Sequence, residues 1–168
     1  MGNFYEKDDA MTTRIFLRKV LIDEALSSDS TYFTCTVYFN GKLACHAQNN
    51  GRGGNTVFAV IDPGLFERAT QYAQGLPHAI VQTKQPNAFF LPMSLELLVN
   101  ELVEKAREEK WLRQQCRTAV LWRSPDMPED DWVIIPDARP TEQLIAEIMK
   151  NHSDAEIANL RFTRKNAK

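Results

Sequence analysis

Apolar and polar positions alternate along Thr13–Ile22, with Ile15, Leu17 and Leu21 on one side and only Lys19 breaking that face. That pattern predicts a strand. Polar Ser27-Ser28-Asp29-Ser30 reads as a loop, and Tyr32–Phe39, rich in aromatic and β-branched residues, as a second strand. Asn40-Gly41 is a strong signal for a tight hairpin, and Lys42–Gln48 forms the returning strand. A two-residue loop would pair Phe39 with Lys42 and Val37 with Ala44, which scatters the apolar side chains over both faces. A shift of one residue pairs Phe39 with Leu43, Val37 with Cys45 and Cys35 with Ala47, and gathers them on one face. A slip by one flips every side chain, so burial should decide the register. A longer loop or a bulge is therefore expected near Asn40-Gly41. Thr34, Thr36, Tyr38 and His46 then form the wetter face.

The pattern changes after the hairpin. Asn49-Asn50-Gly51-Arg52-Gly53-Gly54-Asn55 breaks the strand, because clustered glycines favour positive φ and offer no side chain to pack. Thr56–Ile61 is a short apolar segment, read as a fourth strand or the lead into a helix. Asp62-Pro63 opens a helix carrying Leu65, Ala69 and Tyr72, and Gly75-Leu76-Pro77 ends it. His78–Gln82 reads as another strand. Ser94 is an N-cap for the longest helix, whose Leu95, Leu98, Val99, Leu102, Val103 and Ala106 share one face. Its charges suit the macrodipole, and Glu101–Lys105 and Glu109–Arg113 are i,i+4 pairs. Thr118–Trp122 and Trp132–Ile135 predict a hairpin joined by an acidic loop, with Trp122 and Trp132 pairing across it. Leu144, Ile145, Ile148 and Met149 form the buried stripe of a last helix, and Ala155–Phe162 predicts a final short edge strand.

Clustered rather than alternating elements point to an α+β fold. The expectation is a mainly antiparallel sheet with an N-terminal hairpin, one long amphipathic helix and two shorter ones. With no internal repeat and no compositional break, residues 12–163 read as a single domain, with flexible ends at 1–11 and 164–168. A chain of 168 residues with 43% hydrophobic and 25% charged residues buries enough surface to fold without disulfides or metals. Cys35, Cys45 and Cys116 are odd in number and lack CxxC spacing, so they read as reduced thiols in a cytoplasmic protein. No apolar run approaches the ~18 residues of a membrane span, and the start of the chain is polar rather than a signal peptide. The net charge of −2 gives no general attraction to nucleic acid.

Three of the seven glycines fall within four residues, at Gly51, Gly53 and Gly54. Successive amides in such a turn can cradle an anion, and Arg52 could add a bidentate fork to a phosphate or carboxylate. The alternative is a structural turn that needs positive φ. Neither dinucleotide nor P-loop spacing is present. His46, His78 and His152 are scattered, and Cys45 and His46 face opposite sides of one strand. No metal or cofactor is therefore expected, and Cys45 reads as core. The acidic loop, Asp126, Glu129, Asp130 and Asp131, lacks calcium-loop order. The basic tail, Arg161, Arg164, Lys165 and Lys168, reads as a solvated terminus. The missing nucleophile elbow and zinc-protease motif lean the reading away from an enzyme.

Phe39-Asn40-Gly41-Lys42 followed by the Asn49–Gly54 box resembles a loose group of small uncharacterised proteins carried by phages and other mobile elements. In that group an Asn-Gly-Lys-like turn precedes an Asn-Asp-Gly-(His/Arg)-Gly-Gly box. Asn50 here stands where the group has an acidic residue, and Ala155-Glu156-Ile157-Ala158-Asn159 is similar to the group's ending. The resemblance implies a mobile-element origin and a non-enzymatic protein that binds and modulates a host protein or complex, such as a defence system. The candidate contact surface is Asn50, Gly51, Arg52, Gly53, Gly54 and Asn55, with Lys42, Tyr38 and His46 beside it. One alternative is a domain or enzyme that binds a nucleotide or phosphate ligand at the glycine-rich loop. Another is a nucleic-acid-binding accessory protein, against which the balanced charge argues.

Overall fold

The computed structural model describes residues 14–81, 89–128 and 131–163. The ends expected to be flexible, 1–11 and 164–168, lie outside these residues, as do Glu129 and Asp130 of the acidic loop and Arg164, Lys165 and Lys168 of the basic tail. The fold is α+β, and its sheets are antiparallel. The chain forms two compact units, one ending at Ala106 and one beginning at Arg107.

In the first unit, β1 (Ile15–Asp23), β2 (Tyr32–Phe39), β3 (Lys42–Asn50) and β4 (Val57–Val60) form a sheet in chain order. One face carries Ile15, Leu17, Phe33, Cys35, Val37 and Cys45 into the core. Against it pack Leu65, Ala69 and Ala73 of α1 (Pro63–Gln74) and Leu95, Val99 and Val103 of α2 (Leu95–Gln115). Asp62 caps α1 by accepting the Leu65 N–H at 2.9 Å. Such a cap is worth ~1 kcal/mol. Ser94 caps α2, its Oγ accepting the Leu97 N–H at 3.1 Å. β5 (Ala79–Val81) pairs with β6 (Phe89–Leu91), a strand with no counterpart in the sequence pattern.

Two bulges keep the apolar residues under the helices. Asn40 (φ 48°) and Gly41 (φ 79°) make a two-residue left-handed turn, so Phe39 faces Lys42 and Tyr38 faces Leu43. The expected Phe39–Leu43 pair does not form. Instead Ala44 is an extra residue in β3, and from there Val37 pairs with Cys45 and Cys35 with Ala47. The tight turn and the buried register are thus both satisfied, at the cost of one bulge. A second bulge lies between Arg18 and Leu21, where Lys19 has φ 51°. Ile15 and Leu17 face the core before it, and Val20 and Ile22 after it. Leu21, expected on the buried face, is 68% exposed because the inserted residue exchanges the two faces.

In the second unit, β7 (Ala119–Arg123) lies between β8 (Val133–Pro136) and β9 (Glu156–Ile157). α3 (Glu142–Asn151) is capped by Thr141, and Leu144, Ile145 and Ile148 pack inward. Met149 is 40% exposed and leaves the expected stripe. Only Glu156–Ile157 of the expected final strand pairs with β7, and α4 (Ala158–Thr163) follows. Ile157, Ala158 and Asn159 are all buried in succession, which an alternating edge strand cannot deliver. The two tryptophans do not pair. Trp122 faces Val133 across the ladder and sits on His152, whereas Trp132 packs with Leu112, Ala119 and Ala158. Glu109 and Arg113 form the expected ion pair at 3.0 Å.

Buried Asn159 ties this unit together. Its Oδ1 accepts the Leu121 N–H at 3.0 Å, and its Nδ2 donates to the carbonyls of Ala119 at 2.8 Å and Cys116 at 3.3 Å. Asn159→Ala leaves these backbone groups without that partner and should cost about 2–3 kcal/mol in urea unfolding. Asn159→Asp keeps the acceptor but loses both donors, and should fall nearly as far.

Candidate functional site

The glycine box lies where β3 ends, and three of its amides bond to side chains around the loop. Asn49 is buried because β3 places it on the same face as Cys45 and Ala47. Its Oδ1 accepts from the Gly51 N–H and from Ser30 Oγ, each at 2.9 Å. Its Nδ2 donates to the Gly54 carbonyl at 2.9 Å. The Gly51 carbonyl accepts from the Ser28 and Asp29 amides at 2.9 and 3.1 Å and from Ser28 Oγ at 2.9 Å. The Gly53 N–H donates to Ser30 Oγ and the Arg52 N–H to Asn50 Oδ1, both at 3.1 Å. Three successive amides of a potential anion cradle are thus engaged by the chain's own side chains. The Arg52 side chain and Asn55 are exposed on the loop.

The nine candidate contact residues do not form one patch. Lys42 stands at the hairpin end of β3, eight residues before Asn50, or ~26 Å along the strand. Tyr38 and His46 lie on the outer face of the sheet, away from the helices. Tyr38 stacks on Phe16 with ring centres 5.2 Å apart. The Arg18 guanidinium lies over both rings, at 5.2 Å from Phe16 and 4.9 Å from Tyr38. His46 sits between Thr36 on β2 and Ala59 on β4.

Beside His46 the outer face holds a shallow groove of about 420 Å³. Leu21, Val57 and Ala59 supply its apolar lining, Thr34, Thr36 and Gln48 its hydrogen-bonding groups, and Lys19 its charge. No carboxylate lines it. Sequence periodicity missed Leu21 here because Lys19's bulge reverses the faces, and it missed Asn49 as the keystone of the loop. The signal for Asn49 was its place two residues beyond Ala47 on the core face.

Other candidate groups lie apart. Cys35 and Cys45 are buried, and burial pushes their thiols up to about 12 and about 11, with the neighbouring Cys45 adding to the effect at Cys35. Both thiols are therefore protonated and unreactive at neutral pH. In the second unit a hollow of about 350 Å³ is lined by Arg123, Ser124, Pro125, Met127, Asp154 and Glu156. Arg123 is committed to Glu156 at 2.9 Å and lies over Trp132. Arg161 of the basic tail also pairs with Glu156. Partial burial pushes the Glu156 carboxyl up, but the two arginines outweigh it and hold it below the usual carboxylate range. Among the described residues no cluster of His, Cys, Asp and Glu could hold a metal ion.

No known protein-family model matches the chain, and neither a curated protein nor a solved structure matches it at a significant level.

The glycines differ in what a side chain would meet. A Cβ on Gly51 (φ +74°) would lie 2.3 Å from the Leu26 carbonyl oxygen, one on Gly53 (φ +75°) 3.2 Å from Asp29 Cβ, and one on Gly41 meets nothing. Gly41→Ala should cost ~1 kcal/mol for the left-handed backbone alone. Gly53→Ala should cost slightly more, and Gly51→Ala more than ~3 kcal/mol. Urea denaturation of the three variants tests this order.

Proposed function

We propose that the chain is a non-catalytic protein that binds a protein partner through the outer face of its four-stranded sheet. One observation carries the reading: the groove beside His46 combines exposed apolar side chains, polar Thr34 and Gln48, and one cation, Lys19, with no carboxylate in its lining. Grouped exposed apolar side chains rimmed by polar groups are the kind of surface that a protein contact covers. The partner segment that fits it presents an apolar side chain flanked by a carboxylate. The engaged amides of the glycine loop favour this surface over a phosphate ligand at Gly51–Gly54. Arg18 covers Phe16 and Tyr38, which leaves that aromatic pair poorly suited to stacking bases of a nucleic acid.

The hairpin and glycine-box resemblance to mobile-element proteins supports a host protein or complex as the partner, a defence complex being one such target. The three free thiols accord with a reducing, cytoplasmic setting. Among the described residues no helix is long and apolar enough to cross a membrane.

Affinity capture from host lysate with the full chain tests the reading when paired with a surface variant. Leu21→Glu with His46→Glu alters two exposed positions of the face and should reduce recovery of the captured partner at least tenfold. Arg52→Ala, on the loop, should leave recovery unchanged. A partner retained equally by the double variant, or no partner at all, overturns the proposal.

A further inference from the structure

The two edges of the four-stranded sheet differ. β1 ends the sheet with Arg18, Lys19 and Asp23 and is kinked by the Lys19 bulge. Charge and a bulge are the usual protections of an exposed edge. β4 has neither. From Gly53 to Ile61 there is no charged residue and no proline. Val57, Val60 and Ile61 are 58%, 44% and 54% exposed.

The backbone of β4 is also set for a further strand. The Ile61 N–H donates to the Ala44 carbonyl at 3.0 Å, and the register continues with Ala59 opposite His46 and Val57 opposite Gln48. Antiparallel ladders alternate, so the amides of Thr56, Phe58 and Val60 point away from β3. Thr56 is already capped, its N–H donating to Glu96 Oε1 at 2.6 Å. No hydrogen bond within the described residues caps the outward amides of Phe58 and Val60.

We propose that β4 pairs antiparallel with β4 of a second copy of this chain, about a two-fold axis through Ala59. A two-fold axis normal to the sheet preserves its faces, so only residues of like parity can oppose each other. Centring on Ala59 puts Phe58 opposite the second copy's Val60, and both amides then exchange their bonds in both halves. Val57 falls opposite the second copy's Ile61 on the outer face. Each of the three large exposed apolar residues of this segment, Val57, Val60 and Ile61, thereby gains an apolar neighbour. Ala59, the smallest side chain in the strand, occupies the close non-bonded pair on the axis. The segment itself carries no charge, so no like charges oppose each other within it. The strand is short, so the dimer is expected to be weak and concentration-dependent.

This inference does not rest on the partner reading above. A chain that dimerises but captures no host protein keeps this proposal and loses the other. Sedimentation velocity should show the average mass rising from one chain towards two as concentration increases to about 100 µM, the range of a weak interface. Ala59 is exposed on the outer face, so Ala59→Lys should fold normally by circular dichroism. It sets two like charges on the axis and should leave the protein monomeric throughout. Ala59→Glu should behave the same. An equimolar mixture of the two should recover the dimer, because the axis then pairs opposite charges. A monomeric wild type across the series overturns the proposal, as does a dimer that Ala59→Lys leaves intact. Variants that stay monomeric when mixed also count against it, because they show that the axis does not pair Ala59 with itself.

Discussion

The first unit depends on keeping one face of a four-stranded sheet beneath two helices. Ile15, Val37 and Cys45 lie almost wholly out of water there, in one core cluster with residues of α1 and α2. Burial of a side chain of this size is worth roughly 1.5–3 kcal/mol, more than the roughly 0.5–1.5 kcal/mol net of one ladder bond lost at a bulge. The strands therefore give up regularity before they give up facing. β3 inserts Ala44 directly after a tight turn, and β1 inserts a residue at Lys19, each restoring apolar side chains to the core.

The same face extends to Asn49, and this explains why the glycine box is built as it is. A polar side chain delivered to the buried face must find partners. Asn49 finds them in Ser30, Gly51, Gly54 and Thr56, and Thr56 passes the chain of hydrogen bonds to Asn100 on α2. Gly51 closes against the Leu26 carbonyl and anchors the loop before β2 through its own oxygen. The box thus links strand, loop and helix, and Gly51 answers to close backbone approach.

Local signals in the sequence carried far. The Asn-Gly turn, Asp62 and Ser94 as caps, the α2 stripe and the β7–β8 hairpin were all legible, because each is written in residues near one another. The conflict between turn and burial at Phe39 was legible as well, and so was the pair of ways out, a longer loop or a bulge, of which the structure uses the bulge, at Ala44. What escaped depended on distant partners. Lys19's left-handed backbone moves Leu21 to the outer face, and no local period announces it. Asn159 reads as an edge-strand residue until Cys116, Ala119 and Leu121 are seen around it. The candidate patch failed to assemble for a related reason, because Lys42 and the glycine box share a strand but occupy its two ends.

The outer face repays the cost of the β1 bulge in a way that separates its structural residues from its free ones. The bulge interrupts the β1–β2 ladder beyond Arg18, and the Arg18 carbonyl instead accepts from Thr36 Oγ1 at 2.9 Å. Thr36 is accordingly only 7% exposed although it lies on the side away from the helices. Arg18 in turn spends its guanidinium on Phe16 and Tyr38. These four residues hold one another in place. His46, Gln48, Leu21 and Val57, lying further along the face, carry no such duty and remain exposed. A surface whose structural needs are already met by neighbouring side chains can present apolar groups to solvent without destabilising the sheet.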